Sequence, residues 1–250
     1  MSRFFMELSF KGTNYHGWQS QPNASSVQSE IEKAMQTILH EDIKTTGAGR
    51  TDTGVHARFY VAHFDTDHIL PLKRNDFLYK MNAVLPPEIA VSNVYPVKPE
   101  SHARFSAISR TYNYYISKVK DPFLPEFSWY YSLPLDIAIM NEASAILLEY
   151  DDFTSFSKLH SDVNNNLCKV FEAGWSRNEN QLIFTIRANR FLRNMMRSIV
   201  GTMIDIGKGK TSLEAFRMII EGKDRSLAGF SVPSQGLILA HIVYTNDIIL

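Results

Sequence analysis

The sequence predicts an α+β fold of two tandem β-α-β-β-α-β halves, and three observations carry that prediction. Apolar residues alternate at Phe4, Met6, Leu8 and Phe10, the period of a strand with one buried face. A stripe at Val27, Ile31, Ala34, Met35 and Ile38 then follows the period of an amphipathic helix. The same succession of strand and helix periods recurs from Tyr112 onward.

In the first half, the strand over Phe4–Phe10 leads to a helix whose start is marked by Ser25 and Gln28 at capping-box spacing. A short strand near Ile43, a glycine-flanked loop and a strand through Phe59, Val61 and His63 come next. A helix from Asp76 to Val84 and a strand through Ile89 and Val91 complete the half. In the second half, a strand through Tyr112, Tyr114 and Ile116 precedes a helix from about Leu135 to Glu149. Strands around Val170 and Ile183 form a hairpin, for which Asn178-Glu179-Asn180 supply turn residues. A helix from Arg190, an added helix near Ser212 to Glu221 and a strand from Leu237 to Tyr244 end the chain. The boundary is expected near Lys98 to Ser101, giving domains 1–100 and 101–250. Two such split units in tandem are the duplicated ferredoxin-like (RRM-like) arrangement, with mainly antiparallel sheets meeting at a central catalytic cleft.

Composition sets the broad class. At 250 residues, 44% hydrophobic and 21% charged, the chain is an ordinary globular protein long enough to bury a substantial core. The single cysteine, Cys168, excludes an intramolecular disulfide and is expected to be a core residue of a strand. No apolar run approaches membrane-spanning length and no signal-peptide h-region is present, so a cytoplasmic protein is expected. The formal net charge is zero, yet Arg187 to Lys210 is strongly basic while Asp136 to Asp152 carries only acids. A basic face able to meet phosphates can therefore coexist with an acidic one.

The chemistry concentrates in Gly47-Ala48-Gly49-Arg50-Thr51-Asp52-Thr53-Gly54-Val55-His56-Ala57, where a carboxylate and a guanidinium lie between glycines. The run lacks the lysine and hydroxyl of a phosphate loop, and Asp52 stands where a dinucleotide fingerprint needs glycine, so no nucleotide cofactor is expected. Taken alone, the run is either a turn with an Arg50/Asp52 surface pair or a loop shaped for a ligand. Arg110 to Tyr115 interleaves aromatic and basic residues as nucleic-acid binding requires, with Tyr112 and Tyr114 on one strand face and Tyr115 on the other. A helix from Arg190 would align Arg190, Arg193 and Arg197, and Arg197 within so apolar a helix needs an anion. Arg58, Arg104 and Arg110 are further phosphate-contact candidates. His56, His63 and His68 are too loosely spaced to hold a metal, and His56 is expected to brace the loop.

The whole Gly47–Ala57 run resembles the signature of the tRNA pseudouridine synthase A family. Further ordered blocks match: Gly12 to Gln21, Val27-Gln28, His102-Ala103-Arg104-Phe105, Arg110 to Tyr114, Phe191 to Arg197 and Gly236 to Leu239. The resemblance implies isomerisation of uridine to pseudouridine at positions 38, 39 and 40 of the tRNA anticodon stem-loop, by a homodimer without cofactor or metal. It implies that Asp52 is catalytic, that Tyr112 stacks on the target base, that Arg197 pairs with Asp52, and that Arg50 helps flip the nucleotide. Lys169 and Ser231-Val232-Pro233 depart from the family pattern without touching these residues. Two competitors are an RNA-binding module without catalysis, in which Asp52 is dispensable, and an oligomeric small-molecule sensor with no RNA affinity.

Overall fold

The computed structural model describes residues 1–67, 74–158 and 165–249, which leaves His68 outside the described residues. Its strands are β1 (Ser2–Phe10), β2 (Thr46–Gly47), β3 (His56–Thr66), β4 (Ile89–Val97), β5 (Ala107–Ser117), β6 (Trp129–Tyr130), β7 (Val170–Asn178), β8 (Gln181–Ala188) and β9 (Leu237–Tyr244). Its helices are α1 (Val27–Leu39), α2 (Arg74–Val84), α3 (Ile137–Ile146), α4 (Met195–Gly207) and α5 (Leu213–Glu221). The fold is mixed α+β: β1 pairs antiparallel with β3 and β4, as do β2 with β3 and β8 with β5 and β7, while the short β6 runs parallel to β5. Among the described residues no helix is long and apolar enough to cross a membrane. Two compact units result, Met1–Ile108 with Leu239–Leu250, and Ser109–Ile238.

In the first unit β1 lies between β3 and β4, and the Leu239–Tyr244 part of β9 lies beside β3. The alternation at Phe4, Met6, Leu8 and Phe10 marked one covered face, but Phe5 is fully buried as well, against the rings of Tyr95 and Tyr244 at 6.2 and 5.3 Å. Burial on both faces makes β1 the centre of this core, each such side chain contributing about 1.5–3 kcal/mol.

Helix α1 starts one residue later than its capping-box spacing predicts. Ser26, in an extended conformation, accepts from the N–H of Ser29, whose hydroxyl closes the box. This register buries Val27, Ile31, Ala34, Met35 and Leu39, and frees Gln28 for another task. Gln28 accepts from the N–H of Ser20 at 2.9 Å and donates to the carbonyl of Thr45 at 2.9 Å, tying the helix to the segment before β2.

The second unit orders its strands β5-β8-β7. The β7–β8 hairpin turns at Glu179, whose φ is 49°, and Asp136 and Ser212 cap α3 and α5. Trp175 stacks on Phe184 at 5.0 Å and donates its indole N–H to the sulfur of Met203 at 3.2 Å, which seats α4 on the hairpin. Helix α4 is apolar nearly all round and correspondingly buried.

Two expectations need correcting here. The helix predicted from Arg190 begins at Met195, because Asn194 takes a left-handed conformation with φ 66° that a continuous helix does not admit. Arg190 and Arg193 therefore lie ahead of the helix and form no helical stripe with Arg197. Cys168 is buried as predicted, but in the segment before β7 rather than in a strand; burial pushes its thiol up to about 12, far from nucleophilic.

Candidate active site

Within the first unit, the Asp52 loop is docked on the turn that follows β1. The Gly54 N–H donates to the carbonyl of Tyr15 at 3.3 Å, and Val55 closes the loop's own turn by donating to the Asp52 carbonyl at 3.2 Å. Two glycines of the β1 turn permit this contact. A Cβ at Gly12 would lie 2.0 Å from the Val55 carbonyl oxygen, and one at Gly17 would lie 2.2 Å from that of Thr51. Gly17 also has φ +89°, which L side chains rarely adopt. His56 completes the fastening, since its buried Nδ1 accepts the Gly12 N–H at 3.0 Å. That acceptor role requires an unprotonated Nδ1, so the neutral ring carries its proton on Nε2.

On the near side of the loop, the Tyr60 hydroxyl from β3 donates to the Gly49 carbonyl and accepts the Gly49 N–H. Tyr60 is itself packed on the buried Trp18 indole at 4.2 Å. A cleft of about 290 Å³ opens here, and its lining includes Trp18, Gln28, Arg50, His102, Arg104 and Phe105. Arg50 is exposed, and among the described residues no acidic side chain pairs with it, so the surface pair considered for Arg50 and Asp52 does not form. An unpaired guanidinium in a concave, polar surface is suited to a phosphate. Asp52 is half-buried and does not line this cleft.

Tyr112 and Arg197 belong to the second unit. Half-buried Tyr112 meets the ring of Phe191 edge-on at 5.0 Å and 84°. Tyr114, on the same face of β5, is fully buried and donates its hydroxyl to the Pro233 carbonyl at 2.8 Å. Arg197 is half-buried; its Nε donates to the Val232 carbonyl at 2.6 Å, and Val232 returns its N–H to the Arg197 carbonyl at 3.2 Å. Arg110 is no surface charge: it is 9% exposed and donates to the Asn189 carbonyl at 2.8 Å. Arg58 and Arg104 are exposed.

The model of the tRNA pseudouridine synthase family matches residues 8–106 and again 147–245. The chain belongs to this family. Among its relatives, a tRNA pseudouridine synthase A of Bacteroides thetaiotaomicron is 49% identical over 251 residues, covering 99% of this chain and 93% of the relative. One from Porphyromonas gingivalis is 48% identical over 252 residues, covering all of both chains. A more distant one from Thermoanaerobacter is 38% identical over 246 residues, covering 98% of this chain and all of the relative. Membership in the family gives the docked Gly47–Ala57 loop a chemical context that the loop's geometry alone lacks.

Proposed function

We propose that this protein is a cytoplasmic tRNA pseudouridine synthase, acting as a homodimer without cofactor or metal on uridines 38, 39 and 40 of the anticodon stem-loop. The observation that carries the proposal is an aspartate held on a loop fastened by Gly12, Gly17 and His56, in a chain of this family. Asp52 is the catalytic residue. The isomerisation breaks the bond from N1 of uracil to the sugar C1′ and forms one from C5 to the same carbon. The proton on C5 leaves to solvent and N1 gains one, so atoms and electrons balance with no oxidant or reductant.

In this proposal Tyr112 stacks on the target uracil and Arg197 is the ionic partner of Asp52. Arg50 contacts phosphate or fills the space left by the flipped nucleotide, a role that suits an exposed guanidinium. The two halves in sequence, 1–100 and 101–250, are then duplicated ferredoxin-like units, one carrying the Asp loop and the other the Tyr strand and the Arg helix, with Leu239–Leu250 of the second packed in the first compact unit.

Tritium release from tRNA labelled at uridine C5 tests the proposal, with the purified protein beside Asp52→Ala. Release by the wild type alone is expected, and mapping the product on the RNA then reports the positions. Binding without release by either protein would leave an RNA-binding module instead.

A further inference from the structure

Phe105 belongs to the cleft that holds Arg50, yet 75% of its surface is open to solvent. The backbone that carries it is nevertheless tightly held. Nδ1 of His102 accepts the N–H groups of Arg104 at 3.1 Å and Phe105 at 3.3 Å. The His102 N–H donates to the Ser106 hydroxyl at 2.9 Å, and the Ser106 N–H donates to the His102 carbonyl at 2.9 Å. Between them Ala103, fully buried, donates to Nδ1 of His63 at 3.1 Å and accepts the Tyr244 hydroxyl at 2.5 Å. An apolar ring is thus presented to water by a turn anchored in the core.

The surroundings of the ring identify its guest. The His102 ring lies 4.4 Å from that of Phe105, tilted by 39°, and the Arg104 guanidinium carbon is 5.5 Å from the ring centroid. The rest of the cleft supplies Gln19, Gln28, Thr45, Thr46 and the guanidinium of Arg50, with buried Trp18 the other large apolar side chain. A flat ring beside two cations in a polar cleft is the chemistry that holds unpaired nucleic acid, in which bases stack and phosphates meet guanidinium groups. An apolar protein partner would find little else to cover.

We infer that Phe105 is a stacking platform for an unpaired nucleobase of the RNA, with the Arg104 guanidinium on the adjoining phosphate and His102 as the positioning residue that fixes their turn. The inference rests on the tRNA reading above. In that reading the uridine being isomerised sits at Asp52, and the base on Phe105 is its neighbour in the RNA.

Equilibrium binding of an unmodified tRNA transcript across a salt series tests the platform, using the wild type, Phe105→Leu, Phe105→Trp and Arg104→Gln. Pseudouridine formation by the wild type is followed on the same transcript. Phe105→Leu is expected to weaken binding about 5- to 100-fold with the salt slope unchanged, as loss of one stacked base should. Phe105→Trp should bind within about twofold of the wild type, and Arg104→Gln should reduce the salt slope by about one. Wild-type affinity in Phe105→Leu, or equal weakening by Leu and Trp, overturns the inference. So does a changed sedimentation coefficient in Phe105→Leu with tRNA affinity intact, which would make the ring a protein contact. A wild type that binds tRNA but forms no pseudouridine would remove the catalytic reading alone, because the binding comparison still decides the platform.

Discussion

The backbone N–H of Gly12 and Nδ1 of His56 are joined by a buried hydrogen bond of 3.0 Å, which ties the exit of β1 to the entry of β3. Truncating the imidazole leaves a buried N–H with no acceptor, at a cost of about 1–3 kcal/mol. His56→Ala is expected to lower the urea midpoint accordingly and to slow pseudouridine formation in the same preparation. A midpoint equal to that of the wild type would remove His56 as the brace of the Asp52 loop.

Gly17→Ala should be worse than its small size suggests. The new methyl would meet the Thr51 carbonyl at 2.2 Å from a backbone already at φ +89°. The left-handed conformation alone costs about 1–2 kcal/mol, and the clash adds to it by displacing the residue before Asp52. Urea unfolding is expected to show a loss of at least about 2 kcal/mol, and turnover should fall further than the folded fraction explains.

Arg50 invites the opposite outcome. It is exposed and, among the described residues, has no acidic side chain paired with it, so Arg50→Ala should leave stability within about 0.5 kcal/mol of the wild type. Binding of tRNA should weaken, with the salt slope reduced by about one, and Arg50→Lys should recover the slope. Thermal melts beside a salt titration separate the two effects.

Acid should destabilise the first unit through His63. Burial, followed by the neighbouring His102 and Arg3, depresses the His63 pKa to about 4. The unfolded chain binds this proton near pH 6.5, so between about 4 and 6.5 it holds more protons than the folded one. Stability is therefore full above pH 6.5 and declines as the pH falls through that window, by on the order of 2 kcal/mol. Burial lowers the His102 pKa as well, with the same sign. Urea midpoints at pH 7.5 and 4.5 should differ, and the difference should shrink in His63→Gln.

Strand and helix periods made most elements legible in the sequence. What they missed has local causes. The cap of α1 moved from Ser25 to Ser26 because both are hydroxyls, and only the burial of Val27 chooses between them. Helix α4 could not be started correctly because the break lies in the left-handed Asn194, which a stripe of apolar residues does not report. The short β6 exists only through its pairing with β5, a relationship between segments that local patterns do not carry. For the site, the Gly47–Ala57 run announced itself, but the part played by Gly12 and Gly17 depends on a turn distant in sequence. Phe105 had no signal beyond lying in a matched block, since exposure of a phenylalanine is visible only in three dimensions.

The return of Leu239–Leu250 to the first unit sets the order in which the protein can be finished. Tyr244 bonds Ala103 and packs on Phe5, and Ile248 accepts the N–H of Lys98. A ribosome makes these residues only after all of Ser109–Ile238 has been synthesised. The second unit can close while synthesis continues, whereas the first waits, its sheet open beside β3, for Leu239–Leu250 to arrive. A nascent chain halted at Ile238 would hold a complete second unit and an unfinished first one.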